Sequence, residues 1–77
     1  MREVPIYSEF IKLDAFLKLA GCVTSGGQAK QIVQGGRVSV NDTICTQRGK
    51  KLTAGDTVRI DKNIFACVKA EQKGPVA

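Results

Sequence analysis

The sequence predicts an α+β domain, and three observations carry that reading. Two stretches with apolar residues at helical spacing come first, over 13–20 and 25–34, and stretches of period two follow from residue 37 onward. Glycines stand where each helical pattern stops, at Gly21 and at Gly35-Gly36. Turn residues separate the later segments, at Asn41-Asp42, Ala54-Gly55-Asp56 and Asp61-Lys62-Asn63. Helices first and strands afterwards imply two short N-terminal helices packed on one end or face of a small, mostly antiparallel sheet.

Each element follows from its residues. Pro5 holds Val4 away from helical geometry, so residues 1–7 read as an extended lead-in segment outside a core of 11–69. Ser8-Glu9-Phe10-Ile11 has no decisive period and is compatible with a short strand running into the first helix. Leu13, Phe16, Leu17 and Ala20 share one helical face, and Asp14 suits the positive end of the helix dipole. Ser25-Gly26-Gly27-Gln28 fits a capping box, in which the serine caps the second helix and the glutamine reaches back to it. Ala29, Ile32 and Val33 form that helix's apolar stripe, while Lys30, Gln31 and Gln34 face outward.

Beyond the glycines, Arg37-Val38-Ser39-Val40, Thr43-Ile44-Cys45-Thr46, Thr57-Val58-Arg59-Ile60 and Ile64-Phe65-Ala66-Cys67-Val68 read as strands. Gln47-Arg48-Gly49-Lys50-Lys51 reads as a basic loop. Residues 70–77 lack an apolar pattern and read as a loose tail.

The net charge of +5 is localised. Between Lys12 and Lys51, seven basic residues (Lys12, Lys18, Lys30, Arg37, Arg48, Lys50 and Lys51) face only Asp14 and Asp42. Charge gathered in a patch attracts a polyanion, because its field adds where a mixed surface cancels. Charge alone does not separate such a patch from a slightly basic soluble surface.

Size and composition narrow the functions. Seventy-seven residues make one domain, and a chain this short buries only roughly 60% of its unfolded surface. That leaves little room for an enclosed substrate pocket beside a core. Histidine is absent, no nucleophile stands with a base, and Asp14 and Asp56 read as helix-start and turn residues rather than a catalytic pair. Cys22, Cys45 and Cys67 are odd in number and widely spaced among hydrophobic residues, unlike a disulfide framework or a zinc site. They read as small core residues in a reducing compartment. No catalytic role, metal, cofactor or small-molecule substrate is expected. The apolar runs fall short of the roughly 20 residues needed to cross a bilayer, and Arg2-Glu3-Val4-Pro5 is unlike a signal peptide, so a cytoplasmic protein without a membrane partner is expected.

Four segments then match a known family. I-K-L-D-A-F-L-K-L-A-G at 11–21, S-G-G-Q-A-K-Q-I-V at 25–33, G-R-V-S-V-N at 36–41 and A-G-D-T-V at 54–58 resemble the S4-type RNA-binding domain, or αL motif, named after small-subunit ribosomal protein four. The similarity is greatest to small standalone bacterial proteins of the YbcJ/YaaA type, which share the S-G-G-x-A-K segment. The resemblance implies one RNA-binding domain over 1–77 that presents a basic face to structured RNA, ribosomal or transfer, with the ribosomal subunit as a further candidate partner.

Carried over by position, Lys12 stands before the leucine–aspartate pair where such domains place a basic residue. Lys30 and Arg37 occupy polar positions that face RNA in the family. One position departs from the family: Ser25 is followed by Gly26, where arginine is more common, so a phosphate contact is missing. The Ser25-Gly26-Gly27 turn offers a replacement, because backbone N–H groups at a helix N-terminus bind phosphate and glycine permits close approach. The alternative is that both glycines simply shape the turn between the helices.

Arg48, Lys50 and Lys51 complete the expected RNA-binding set. Phe10, Phe16 and Phe65 are placed like core residues, leaving Tyr7 as the aromatic able to stack on a base, so recognition by shape is expected rather than reading of splayed single strands. The rival reading is a small adaptor whose basic face meets an acidic protein partner. A monomer is expected in either reading.

Overall fold

The structure, a computed structural model, describes residues 1–70. The tail expected at 70–77 therefore lies, beyond Ala70, outside the described residues. Strand β1 (Arg2–Ile6) opens the chain, followed by β2 (Ile11–Lys12), helix α1 (Leu13–Leu19) and helix α2 (Gly26–Gln34). Strands β3 (Val38–Val40), β4 (Thr43–Ile44), β5 (Lys51–Leu52), β6 (Thr57–Ile60) and β7 (Asn63–Lys69) complete it. Five strands form one sheet in the order β1-β7-β6-β3-β4, and β2 with β5 forms a separate two-stranded ribbon.

One expectation changes here, and the mostly antiparallel sheet gains one parallel pair. Residues 1–7 are extended, but they are no mere lead-in, because β1 is a strand of the main sheet with Val4 and Ile6 buried in the core. The sheet is mixed: β7–β6, β6–β3 and β3–β4 pair antiparallel, while β1 pairs parallel with β7, Val4 opposite Cys67. Strand β1 joins the sheet because alternation puts Val4 and Ile6 on one face and both are buried there. The Ala70 amide continues that edge by donating to the Ile6 carbonyl at 2.8 Å.

The helices form for the anticipated reasons. Leu13, Phe16 and Leu17 on α1 and Ala29 and Val33 on α2 bury into one cluster with Val38, Val40, Val58, Ile60, Phe65 and Cys67 from the sheet. Gly21 at φ +79° and Gly36 at φ +75° take the left-handed backbone that ends each helix. Ser25 Oγ accepts from the Gln28 amide at 3.3 Å, as a cap should. The return arm differs: Gln28 Oε1 takes the Thr24 amide at 2.8 Å and the Thr24 hydroxyl at 3.0 Å. Thr24 gives both its amide and its hydroxyl to that oxygen.

Strand β4 is shorter than the expected Thr43–Thr46 stretch, although the Cys45 amide still reaches the Val38 carbonyl at 2.9 Å. Its hairpin turn places Asn41 (φ 51°) and Asp42 (φ 68°) both left-handed, the twist a two-residue hairpin favours. The three cysteines are free; Cys67 is buried, and Cys22 and Cys45 pack half-buried against the core. Burial pushes the Cys22 and Cys67 thiols up, which makes them poor nucleophiles.

Candidate nucleic-acid interface

The β2–β5 ribbon is the structural centre of the basic region. Its register sets Ile11 opposite Leu52 and Lys12 opposite Lys51. Leu52 is buried and Ile11 packs against the core, so the alternating neighbours Lys12 and Lys51 turn outward together. Lys51 is therefore a strand residue, a correction to the loop that expectation ran from Gln47 through Lys51. Two residues are too few to show a period in the sequence.

The chain just before β5 is fastened to the start of α1. The Leu13 amide donates to the Lys50 carbonyl at 2.8 Å, and the Asp14 amide donates to the Arg48 carbonyl at 3.1 Å. A helix start leaves amides without intrahelical partners, and Lys12 supplies no side-chain cap to α1. The backbone of the 48–50 loop fills that role. The bonds bring Arg48, Lys50, Lys51 and Lys12 into one neighbourhood, with all four side chains exposed.

None of these four cations forms an ion pair among the described residues. Like charges directly opposite on paired strands repel, by roughly 0.2–1 kcal/mol, so the Lys12 and Lys51 pairing gives the fold nothing. Beside the loop, Asn41, Thr43, Ile44, Thr46, Gln47 and Lys50 help line a groove of about 480 Å³. Lys50 is its charged residue, and no carboxylate lines it to share acid–base work.

The other expected site residues stand apart in kind. Lys30 is exposed on α2 and makes no ion pair among the described residues. Arg37 is already engaged: its Nη2 donates to Asp61 Oδ2 at 2.6 Å. That hydrogen bond, and then the charge of Asp61, raises the arginine's pKa further. At the head of α2, Gly26 and Gly27 have no left-handed φ, and Ser25 is extended.

Phe10 was missed. The expectation of a core residue is wrong, because the ring is 42% exposed, and Lys51 Nζ lies 4.8 Å from its centroid. Strand alternation accounts for it, since Phe10 precedes the inward-facing Ile11 and so turns outward with Lys12. That signal was in the sequence, but only knowing which way Ile11 points makes it readable.

A helix pair, a small mixed sheet and a ribbon of unpaired cations fit a basic RNA-binding fold of the kind the motifs resemble. Residues 4–68 match the S4 domain family, and the chain belongs to it. It is also similar to a Bacillus subtilis (strain 168) protein named as a probable ribosome maturation protein, RlbA. The two are 45% identical over 58 residues, covering 75% of this chain and 82% of the relative.

Proposed function

We propose that this protein is a non-catalytic RNA-binding module, a single domain that docks a preformed basic face on structured RNA through phosphate contacts. Membership of the S4 domain family supports the RNA-binding class. The name of the Bacillus subtilis relative, a probable ribosome maturation protein, favours ribosomal RNA over transfer RNA and a step in ribosome maturation as the setting. The observation that carries the reading is Lys12 facing Lys51 across the ribbon without a carboxylate partner. A polyanion relieves that repulsion and gains from it.

In this reading Lys12, Arg48, Lys50 and Lys51 form the principal phosphate-binding cluster. Lys30 and the Ser25-Gly26-Gly27 turn extend it onto α2. Arg37 contributes from just before β3, where an RNA phosphate competes with Asp61 for its guanidinium. The protein works in the cytoplasm as a monomer.

Salt dependence tests the reading. Displacing counterions gives a slope of log K against log salt near −0.7 per phosphate on a single strand, so five or six contacts give roughly −4. Replacing Arg48, Lys50 and Lys51 with glutamine should weaken binding to every RNA and make the slope shallower by about 2. Thermal stability should change little, because the capping of α1 uses the backbone carbonyls of residues 48 and 50. Binding no stronger than to a neutral polymer at low salt sinks the proposal and returns the basic face to an acidic protein partner. A triple variant with wild-type affinity and slope would show that the loop points away from RNA.

A further inference from the structure

Phe10 sits where folding gains little from it. A phenylalanine stabilises by leaving water, and this one remains 42% exposed in a chain with a small core to fill. The backbone around it is fixed rather than loose. Ser8 Oγ donates to the Phe10 carbonyl at 2.6 Å, and the next residue enters the ribbon opposite Leu52. The exposed ring thus stands just before β2, two residues from Lys12 in the chain and under the ammonium of Lys51.

The ligand is defined by these neighbours. An exposed aromatic ring with one ammonium 4.8 Å from its centroid and a second lysine two residues along, neither lysine ion-paired among the described residues, suits a group that is flat, π-rich and attached to negative charge. An unpaired nucleotide has that composition: its base stacks on an aromatic ring while its phosphates meet lysines. A paired base cannot, because its faces are already covered by its neighbours in the helix. Lys51 marks the open face of the ring, and its flexible stem lets the ammonium leave the ring for a phosphate when a base arrives.

We propose that Phe10, with Lys51 and Lys12, forms a stacking site for one unpaired nucleobase, so that the protein selects RNA with a bulged or looped-out nucleotide. This inference rests on the RNA-binding reading above and adds a base contact to its phosphate contacts. Recognition is then partly of a splayed base, contrary to the shape-only expectation drawn from the sequence.

The test uses two RNA hairpins of equal length and charge, one carrying a bulged adenosine and the other an abasic ribose at the same place. The full chain should bind the adenosine form on the order of tenfold more tightly, the scale of one stacked base. Phe10→Leu should remove that preference and bind both hairpins as the wild type binds the abasic one, with the salt slope unchanged. Phe10→Tyr should restore the preference. A fluorescent 2-aminopurine at the bulge, read with the wild-type protein alone, should be quenched on binding.

Salt-dependent binding to both hairpins with equal affinity, or a preference that survives Phe10→Leu, overturns the stacking site and leaves the phosphate reading standing. Failure of the wild type to bind either hairpin in a salt-dependent way overturns both. If Phe10→Leu does not fold, the wild-type comparison of the two hairpins and the quenching decide alone.

Discussion

Gly26 and Gly27 weaken the first turn of α2 without being required by it. Neither has a left-handed φ; a Cβ at Gly26 meets nothing within 4 Å, and one at Gly27 meets only Ser25 Oγ at 3.9 Å. Glycine in a helix costs about 0.5–1 kcal/mol against alanine, so backbone geometry does not explain two in a row. Close approach of an RNA phosphate to the exposed amides does, under the reading proposed here. Gly26→Glu should therefore fold normally and weaken RNA binding severalfold, checked by circular dichroism beside a filter-binding titration. Unchanged affinity in the folded variant assigns the turn a purely structural role. Asp56 shows the opposite situation, a polar residue with an evident structural use. Its Oδ1 accepts from Asn41 Nδ2 at 3.0 Å and its Oδ2 from the Thr53 amide at 2.8 Å. The Asn41 side chain first, and then the Thr53 amide, hold its pKa below the ordinary carboxylate value. The stability this contributes is present above the unfolded value of about 4 and is lost as pH falls through the lower folded value. Urea midpoints of the wild type should exceed those of Asp56→Asn at pH 7 and converge with them in acid. A constant gap between the two across that range would show that the carboxylate's charge is irrelevant.

The ribbon shows how one element can trade stability against binding. Lys12 sits at the N-cap of α1 and directly opposite Lys51, so its positive charge is unfavourable on both counts. Lys12→Glu replaces cross-strand repulsion with attraction, worth roughly 0.2–1 kcal/mol. It also sets a negative charge at the positive end of a helix dipole, worth roughly 0.3–1 kcal/mol at an exposed site. The contact of Lys51 with Phe10 is left in place. The variant should be more stable by about 1 kcal/mol in urea titration, while its RNA affinity falls and its salt slope becomes shallower. A variant less stable than wild type would mean that the ribbon register does not bring these side chains together. The sequence announced α1 and α2 through the spacing of Leu13, Phe16, Leu17, Ala29 and Val33, and their ends through Gly21 and Gly36. It could not announce β2 and β5, because two-residue strands have no period and exist only through each other. For the same reason Arg48, Lys50 and Lys51 were legible as a charge cluster, but their junction with Lys12 was not. Phe10 was misjudged because phenylalanine usually belongs to a core, while here it precedes the inward-facing Ile11 of β2 and stays exposed.

At the scale of the molecule, the least legible feature is the closure of the chain by β1. A parallel pairing between the first and last strands leaves no local signal, since its partners are brought together only by the fold between them. Pro5 pointed to extended backbone but not to a sheet, and proline is tolerated there because β1 is an edge strand. Three links fasten this strand. Val4 and Ile6 enter the core, the Ala70 amide bonds the Ile6 carbonyl, and Arg2 Nη1 donates to the Ala20 carbonyl at 3.3 Å. If β1 belongs to the cooperative unit, trimming its buried side chain should destabilise the whole domain. Ile6 is 2% exposed, so Ile6→Ala should cost about 2–5 kcal/mol. That is a large part of the roughly 5–15 kcal/mol that holds a typical domain together. Tyr7, one residue on and 77% exposed, supplies the control: Tyr7→Ser should stay within about 0.5 kcal/mol of wild type. The folded fraction of Ile6→Ala should keep its RNA affinity and salt slope, because β1 supplies none of the cations of the ribbon and its loop. Denaturant melts of the two variants, with RNA titrations under native conditions, separate scaffold from site. An Ile6→Ala loss below about 0.5 kcal/mol would place β1 outside the folding unit and leave the remaining strands to fold without it.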